Sequence, residues 1–198
     1  MGANVYLESV ASYGTIGTAT STTALTVEIP GRSGKRIAIR AFGFMAGGTC
    51  EAVQFMQSLG KTTLLAVAAD GASILNLTGE PGPSGNSLAA NDFIVLVQDD
   101  GTYHFSEVGA VTGLSTIALC TVITGAAAIG QTVYDLGCAG DTGHINWAPT
   151  TVSVLNKESI DGGIFYGTEK GSPMMFSGES AATGSEEICY ITVDYINK

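Results

Sequence analysis

Charge is scarce in this sequence, and positive charge is scarcest. Lys and Arg together number 8 among 198 residues, against 18 Asp and Glu, for a net charge of −10. Such a chain repels phosphates, so nucleic acid is not expected as a partner. Long apolar runs are missing too: nowhere do about eighteen apolar residues follow one another, so no membrane span is expected. The opening MGANVYLESV has neither the basic nor the apolar segment of a secretory signal, and Tyr6 stands where a myristoylation motif needs Ser or Thr. The four cysteines, Cys50, Cys120, Cys138 and Cys189, form no Cys-x-x-Cys pair. Each has apolar or small neighbours, which reads as a reduced, buried thiol, with disulfides as the alternative.

The motifs of catalysis are missing as well. SLGKTT (58–63) ends like a phosphate-binding loop, but Phe55 occupies the position of that loop's first glycine, so a strand-to-strand turn is expected. His104 lies near Asp99 and Asp100, and His144 near Asp141. Isolated histidines fall short of the ligand set that zinc needs, and no Asp-x-Asp-x-Asp loop offers oxygens to calcium. Both histidines read as solvated loop residues. No Gly-x-Ser-x-Gly elbow occurs, and most of the acids fall at turns or beside strand ends, where solvation accounts for them. The chain is therefore not expected to be an enzyme; no catalytic residue, metal or cofactor is expected.

What is present points to strands. Glycine numbers 27, apolar residues make up 45% and charged ones 13%, and Thr, Val and Ile recur in short alternating runs. An all-β fold with many turns follows. ALTVEI (24–29) and RIAIRAFGF (36–44) read as strands around the turn PGRSGK, and CEAVQFMQSL (50–59) fits the two-residue period of a strand. At the far end ICYITVDYI (188–196) alternates, with Cys189, Ile191, Val193 and Tyr195 on one face.

The distribution of charge divides the chain. No basic residue lies between Thr62 and Gly140, an interval holding Asp70, Glu80, Asp92, Asp99, Asp100, Glu107 and Asp135. Charge asymmetry of this kind follows domain boundaries. Residues 1–61 and 141–198 are expected to form one discontinuous β-sandwich, jelly-roll-like, with first and last segments adjacent in a sheet. Residues 62–140 are expected to form an inserted, acidic, barrel-like module.

That module reads as a string of hairpins. Asp70-Gly71 and Asp100-Gly101 each separate strand-like runs, and Asp-Gly is a strong hairpin signal because both residues tolerate positive φ. VQDDGTYHFSEV (97–108) crowds three acids, a tyrosine and a histidine together and raises the question of a catalytic cluster. Its pattern instead gives an incoming strand over 93–97 and a turn at Asp100-Gly101. Tyr103 and Phe105 then share one face and His104 points to the other. STIALCTVI (115–123) and QTVYDLG (131–137) supply further strands.

Four of the eight bases, Arg32, Lys35, Arg36 and Arg40, fall within nine positions. They read either as a solvated turn running into an outward strand face, or as a docking patch for an acidic partner surface.

The runs FMQSLGKTTLLAVAADGASILNL, AANDFIVLVQDDGTYHFSEV and AAAIGQTVYDLG, with the closing ITVDYINK, cover about a third of the chain. In style and order they resemble the decoration, or cement, proteins of tailed-bacteriophage heads. The resemblance implies a non-enzymatic virion protein made in the bacterial cytoplasm, a homotrimer on the capsid surface that bridges subunits of the major capsid protein. The four-residue basic cluster would be its capsid-docking patch. The alternative is a tail or fibre component whose inserted module binds a host surface glycan, with Tyr103, Tyr134 or Trp147 stacking on sugars.

Overall fold

The computed structural model describes residues 10–13, 18–20, 25–46, 53–81, 87–113, 115–137, 153–158, 166–167, 170–178 and 185–196. Every regular element among them is a β-strand, so the chain is all-β. It divides into two compact units, one of Met1–Met56 with Gly143–Lys198 and one of Gln57–Thr142.

The outer unit carries β1 (Val10–Tyr13), β2 (Thr18–Thr20), β3 (Leu25–Ile29), β4 (Arg36–Ala46) and most of β5 (Val53–Gln57) from its first half. Its second half supplies β12 (Ser153–Glu158), β13 (Tyr166–Gly167), β14 (Met174–Gly178) and β15 (Ser185–Ile196). One sheet runs β1-β15-β4-β12, with β2 also on β15 and β13 on β4, and a second runs β3-β14-β5. First and last strands are neighbours, Val10 opposite Asp194 and Tyr13 opposite Ile191. Ile37, Ala38 and Ile39 of β4 are all fully buried, so this central strand is covered on both faces there. The β15–β4 register slips twice, once with Cys189 as the extra residue on β15, between Ile188 and Tyr190, and once with the extra residue on β4, between Ile39 and Ala41. The Tyr195 hydroxyl donates to the Pro30 carbonyl over 2.9 Å and ties β15 to the turn after β3. In that turn a Cβ on Gly31 would run into the Gly171 carbonyl, so the close approach needs glycine.

The inner unit holds β6 (Gly60–Thr63), β7 (Ile74–Asn76), β8 (Phe93–Val97), β9 (Tyr103–Thr112), β10 (Thr116–Leu119) and β11 (Thr132–Gly137). Their order is β6-β11-β8-β9-β10-β7. The two edges then meet: Leu64 bridges Leu77, Leu65 N–H donates to Asn76 O at 2.7 Å, and Thr78 N–H donates to Thr63 O at 2.9 Å. The sheet thus closes into a small barrel, which removes most of its free edge. Leu64, Leu75, Leu77, Ile94, Leu96, Val108, Ile117 and Val133 fill the interior, at least one from every strand or its immediate continuation. Each such side chain contributes roughly 1.5–3 kcal/mol over its exposed state. Exposed ion pairs are worth at most about 1 kcal/mol. The apolar interior therefore holds this unit, and its one-sided surface charge does not.

Candidate functional site

The stretch 97–108 is a hairpin, with β8 ending at Val97 and β9 beginning at Tyr103 opposite it. Gly101 takes φ +83°, and Gly101 N–H donates to Gln98 O at 3.0 Å. The two acids at its tip are structural acceptors. Asp99 Oδ1 accepts from Ala128 N–H and Gln131 Nε2, each at 2.8 Å, and Asp100 Oδ1 accepts from Thr102 N–H at 2.9 Å. These hydrogen bonds hold both carboxyls below their usual range, with the Gln131 amide the larger influence on Asp99 and the Thr102 hydroxyl on Asp100.

Two expectations for single residues, His104 and Cys120, are corrected here. His104 is not a solvated loop residue: it lies on β9, is 6% exposed, and donates Nε2–H to Thr121 O at 3.2 Å. The carbonyl can only accept, so this bond requires the proton on Nε2. Asp92 and Asp135 are exceptions among the acids. Both are buried; Asp92 Oδ2 accepts from Ala89 N–H at 2.6 Å, and Asp135 Oδ1 from Gly137 N–H at 2.8 Å, where the β11–β8 register shifts. Cys120 is free but exposed rather than buried. A register shift at Ala118/Leu119 ends the regular pairing of β10 just before it, and its Sγ lies over Gly109, which has no side chain to cover it.

A shallow groove of about 400 Å³ opens beside β6, lined by Lys61, Thr62, Thr63, Thr78, Gly79, Glu80 and Thr132. It lies next to the Leu64–Leu77 bridge, on the side where Thr78 N–H bonds Thr63 O. The Thr78 hydroxyl is 3.1 Å from that of Thr63 and 3.2 Å from that of Thr62, and Glu80 Oε2 accepts from Ser87 Oγ at 3.2 Å. The expected strand-to-strand turn over 58–63 is found, since β5 leads into β6 and Lys61 sits on a strand, not before a helix. On β11, Val133 belongs to the core, so Thr132 and Tyr134 face outward. Thr132 stands opposite Thr63, and Tyr134 opposite Lys61. Further round the barrel, Val95 lies between Tyr134 and Phe105, and Val97 is paired with Tyr103. Partial burial, with Tyr134 nearby, pushes the Tyr103 phenol above its usual value.

The inner unit also has an apolar pole. Leu65, Val67, Ile74, Val122 and Ile129 are 49–65% exposed, and they are the exposed large apolar side chains among the described residues. Ala68 bridges Ala127, Leu65 bonds Asn76, and Ile123 bonds Ala72, so the segments carrying all five converge. The chain enters this unit near Gly60 and leaves near Gly137, with Gly60 opposite Asp135. The apolar residues lie at the other ends of those same two strands.

Three members of the basic cluster come together. Arg32 and Lys35 close a turn, with Lys35 N–H donating to Arg32 O at 2.9 Å, and Arg36 opens β4 opposite Ile196. The Arg32 guanidinium stacks 4.0 Å over the Tyr195 ring. Arg40 is placed apart, roughly 13 Å further along the strand. It is the extra residue of a bulge, since Ile39 pairs Val193 while Ala41 pairs the adjacent Thr192.

Asp141, His144, Trp147, Cys50 and Cys138 lie outside the described residues, as does the side chain of Cys189. Among the described residues no three of His, Cys, Asp or Glu gather in a metal-holding group.

No family model matches the sequence, and no curated protein matches it. Among solved structures, VP17, a capsid protein of bacteriophage P23-77, is similar at TM-score 0.23 and 12% identity, over 98% of this chain and 99% of that one. The complex of VP16 and VP17, the two major capsid proteins of the same phage, gives 0.24 and 11%, over 91% and 100%. The Gx strain of infectious bursal disease virus gives 0.13 and 14%, over 96% of this chain and 42% of that one.

Proposed function

We propose that this chain is a non-enzymatic virion structural protein that decorates and stabilises a phage capsid by bridging neighbouring capsid subunits. The observation that carries the reading is the apolar pole of the inner barrel. Leu65, Val67 and Ile129 stand exposed on a closed barrel, at the end away from where the chain enters and leaves it. Clustered exposed apolar side chains mark a surface that another protein covers, and a rigid barrel loses little conformational freedom when it is covered. The order of the sequence segments, which resembles that of head decoration proteins, narrows the partner to the major capsid protein. It also favours a homotrimer on the capsid surface, assembled in the bacterial cytoplasm, where Cys120 stays a thiol.

Purified protein mixed with undecorated heads tests this. Saturable binding and a raised disruption temperature of the heads are the expected results, with a solution mass of three chains. The triple variant Leu65→Ser, Val67→Ser, Ile129→Ser should bind at least tenfold more weakly while unfolding at nearly the same temperature, because exposed positions tolerate polar replacement. Absence of binding by the unaltered protein overturns the capsid assignment. Unchanged binding by the triple variant moves the contact elsewhere on the chain.

A further inference from the structure

Lys61 is the only basic residue between Gln57 and Thr142, a unit with eight acids. A lysine on a sheet edge has a plain structural use, since it deters stray strand pairing. That use does not explain its company. Lys61 and Tyr134 form one cross-strand pair, Thr63 and Thr132 the next pair on the same face, and all four turn outward, away from the core residue Val133. Glu80 and Thr78 line the groove with them. Among the described residues Lys61 makes no ion pair, and Glu80 accepts a hydrogen bond from Ser87 alone.

The chemistry of this lining is selective. Threonine hydroxyls both donate and accept, an ammonium only donates and a carboxylate only accepts. That mixture matches a ligand with many hydroxyls, each of which both donates and accepts. No apolar side chain lines the groove, so an apolar ligand would gain little there. An anionic ligand would meet Glu80 and the surplus acids of the unit with one cation to offset them. Just outside that lining, opposite Lys61 and on the same outward face as Thr132, the partly exposed Tyr134 ring offers a flat face for the C–H side of a sugar ring. The volume, about 400 Å³, falls within the usual span of small-molecule sites.

We propose that this groove is a saccharide-binding site for uncharged glycans, with a sugar ring against Tyr134 and its hydroxyls held by Lys61, Thr63, Thr132 and Glu80. The site belongs to the inner unit alone and does not depend on where in a virion the chain resides. On a particle it would give each copy a weak hold on a polysaccharide surface, multiplied by copy number.

The test is an amide-resolved NMR titration of the full chain with maltohexaose, cellohexaose and chitohexaose, and with hexagalacturonate as the acidic counterpart. Saturable shifts at Lys61, Thr63, Thr78 and Thr132 with at least one uncharged oligomer, and none there with hexagalacturonate, are expected. The double variant Thr63→Val, Thr132→Val keeps shape and removes two hydroxyls, and should weaken binding at least tenfold while the amides of β8 and β9 stay in place. Absence of shifts with all three uncharged oligomers at about 10 mM, where even a millimolar Kd is nearly saturated, overturns the proposal. So do shifts confined to other surfaces, or tighter binding of the acidic oligomer.

Discussion

From the inner face of β9, His104 donates its Nε2–H to the main-chain carbonyl oxygen of Thr121, 3.2 Å away. Next to it Ser106 Oγ accepts from Thr121 N–H at 3.1 Å. Two polar side chains of one strand thus hold both main-chain groups of one residue in the segment that follows β10. His104 and Ser106 are themselves buried, so without Thr121 their polar atoms would lack these partners.

Replacing His104 should therefore cost stability and not activity. His104→Leu removes the shorter of two side-chain donors to the Thr121 carbonyl and leaves Ser106 Oγ at 3.3 Å, at about 0.5–1.5 kcal/mol. Chemical denaturation of the inner unit checks this, as does faster hydrogen exchange over 119–123. A stability equal to that of the unaltered protein would show that water replaces the imidazole at no cost.

How far this was legible in the sequence depends on range. The Asp100-Gly101 turn and the strand Phe93–Val97 follow from adjacent residues, and both are found as expected. Alternation also put His104 on the face opposite Tyr103 and Phe105. Its burial was not legible, because what covers it comes from Thr121, seventeen positions on. A barrel-like module was expected, but that Leu64 and Leu77 close it is hidden for the same reason, and with it the groove, which joins Lys61 to Glu80 and Thr132. Cys120 misled because apolar neighbours in sequence signal a buried strand only while the pairing register holds, and here it slips just before the cysteine.

Acid should loosen the tip of the β8–β9 hairpin. Asp99 and Asp100 are held below their usual carboxyl range by hydrogen bonds made in the folded state. A depressed folded value means the contribution is complete above the unfolded value, about 3.9, and is lost as pH falls through the folded value. Melting temperature followed from about pH 5 down to about pH 2 should fall, and Asp99→Asn with Asp100→Asn should flatten that fall. An equally steep acid limb in the double variant would assign the loss to other carboxyls.

Gly31→Ala should damage the outer unit alone. The added Cβ meets the Gly171 carbonyl, and both partners are backbone, so neither can turn aside as a flexible side chain does. Overpacking of this kind costs about 1–3 kcal/mol or more. Hydrogen exchange should quicken in β3, β4 and β14 while β8 and β9 keep their protection. Equal loosening of both units would mean that they unfold as one.

The basic turn gives the sharpest contrast between packing and docking. If Arg32, Lys35, Arg36 and Arg40 acted as one patch, replacing any of them with Ser would weaken binding to heads by a similar factor. The structure argues for unequal effects. Arg32 covers the Tyr195 ring, a contact worth about 0.5–1 kcal/mol at an exposed site, so Arg32→Ser should lower stability as well as binding. Lys35 and Arg36 flank the same turn, and Lys35→Ser with Arg36→Ser should slow association with heads and flatten its salt dependence. Arg40 lies in the bulge of β4 and away from the turn, so Arg40→Ser should leave the association rate as it was. Association rates measured by light scattering at low and high salt separate these cases. Four equal losses would restore a single patch, and no loss in any variant would leave the apolar pole as the docking surface.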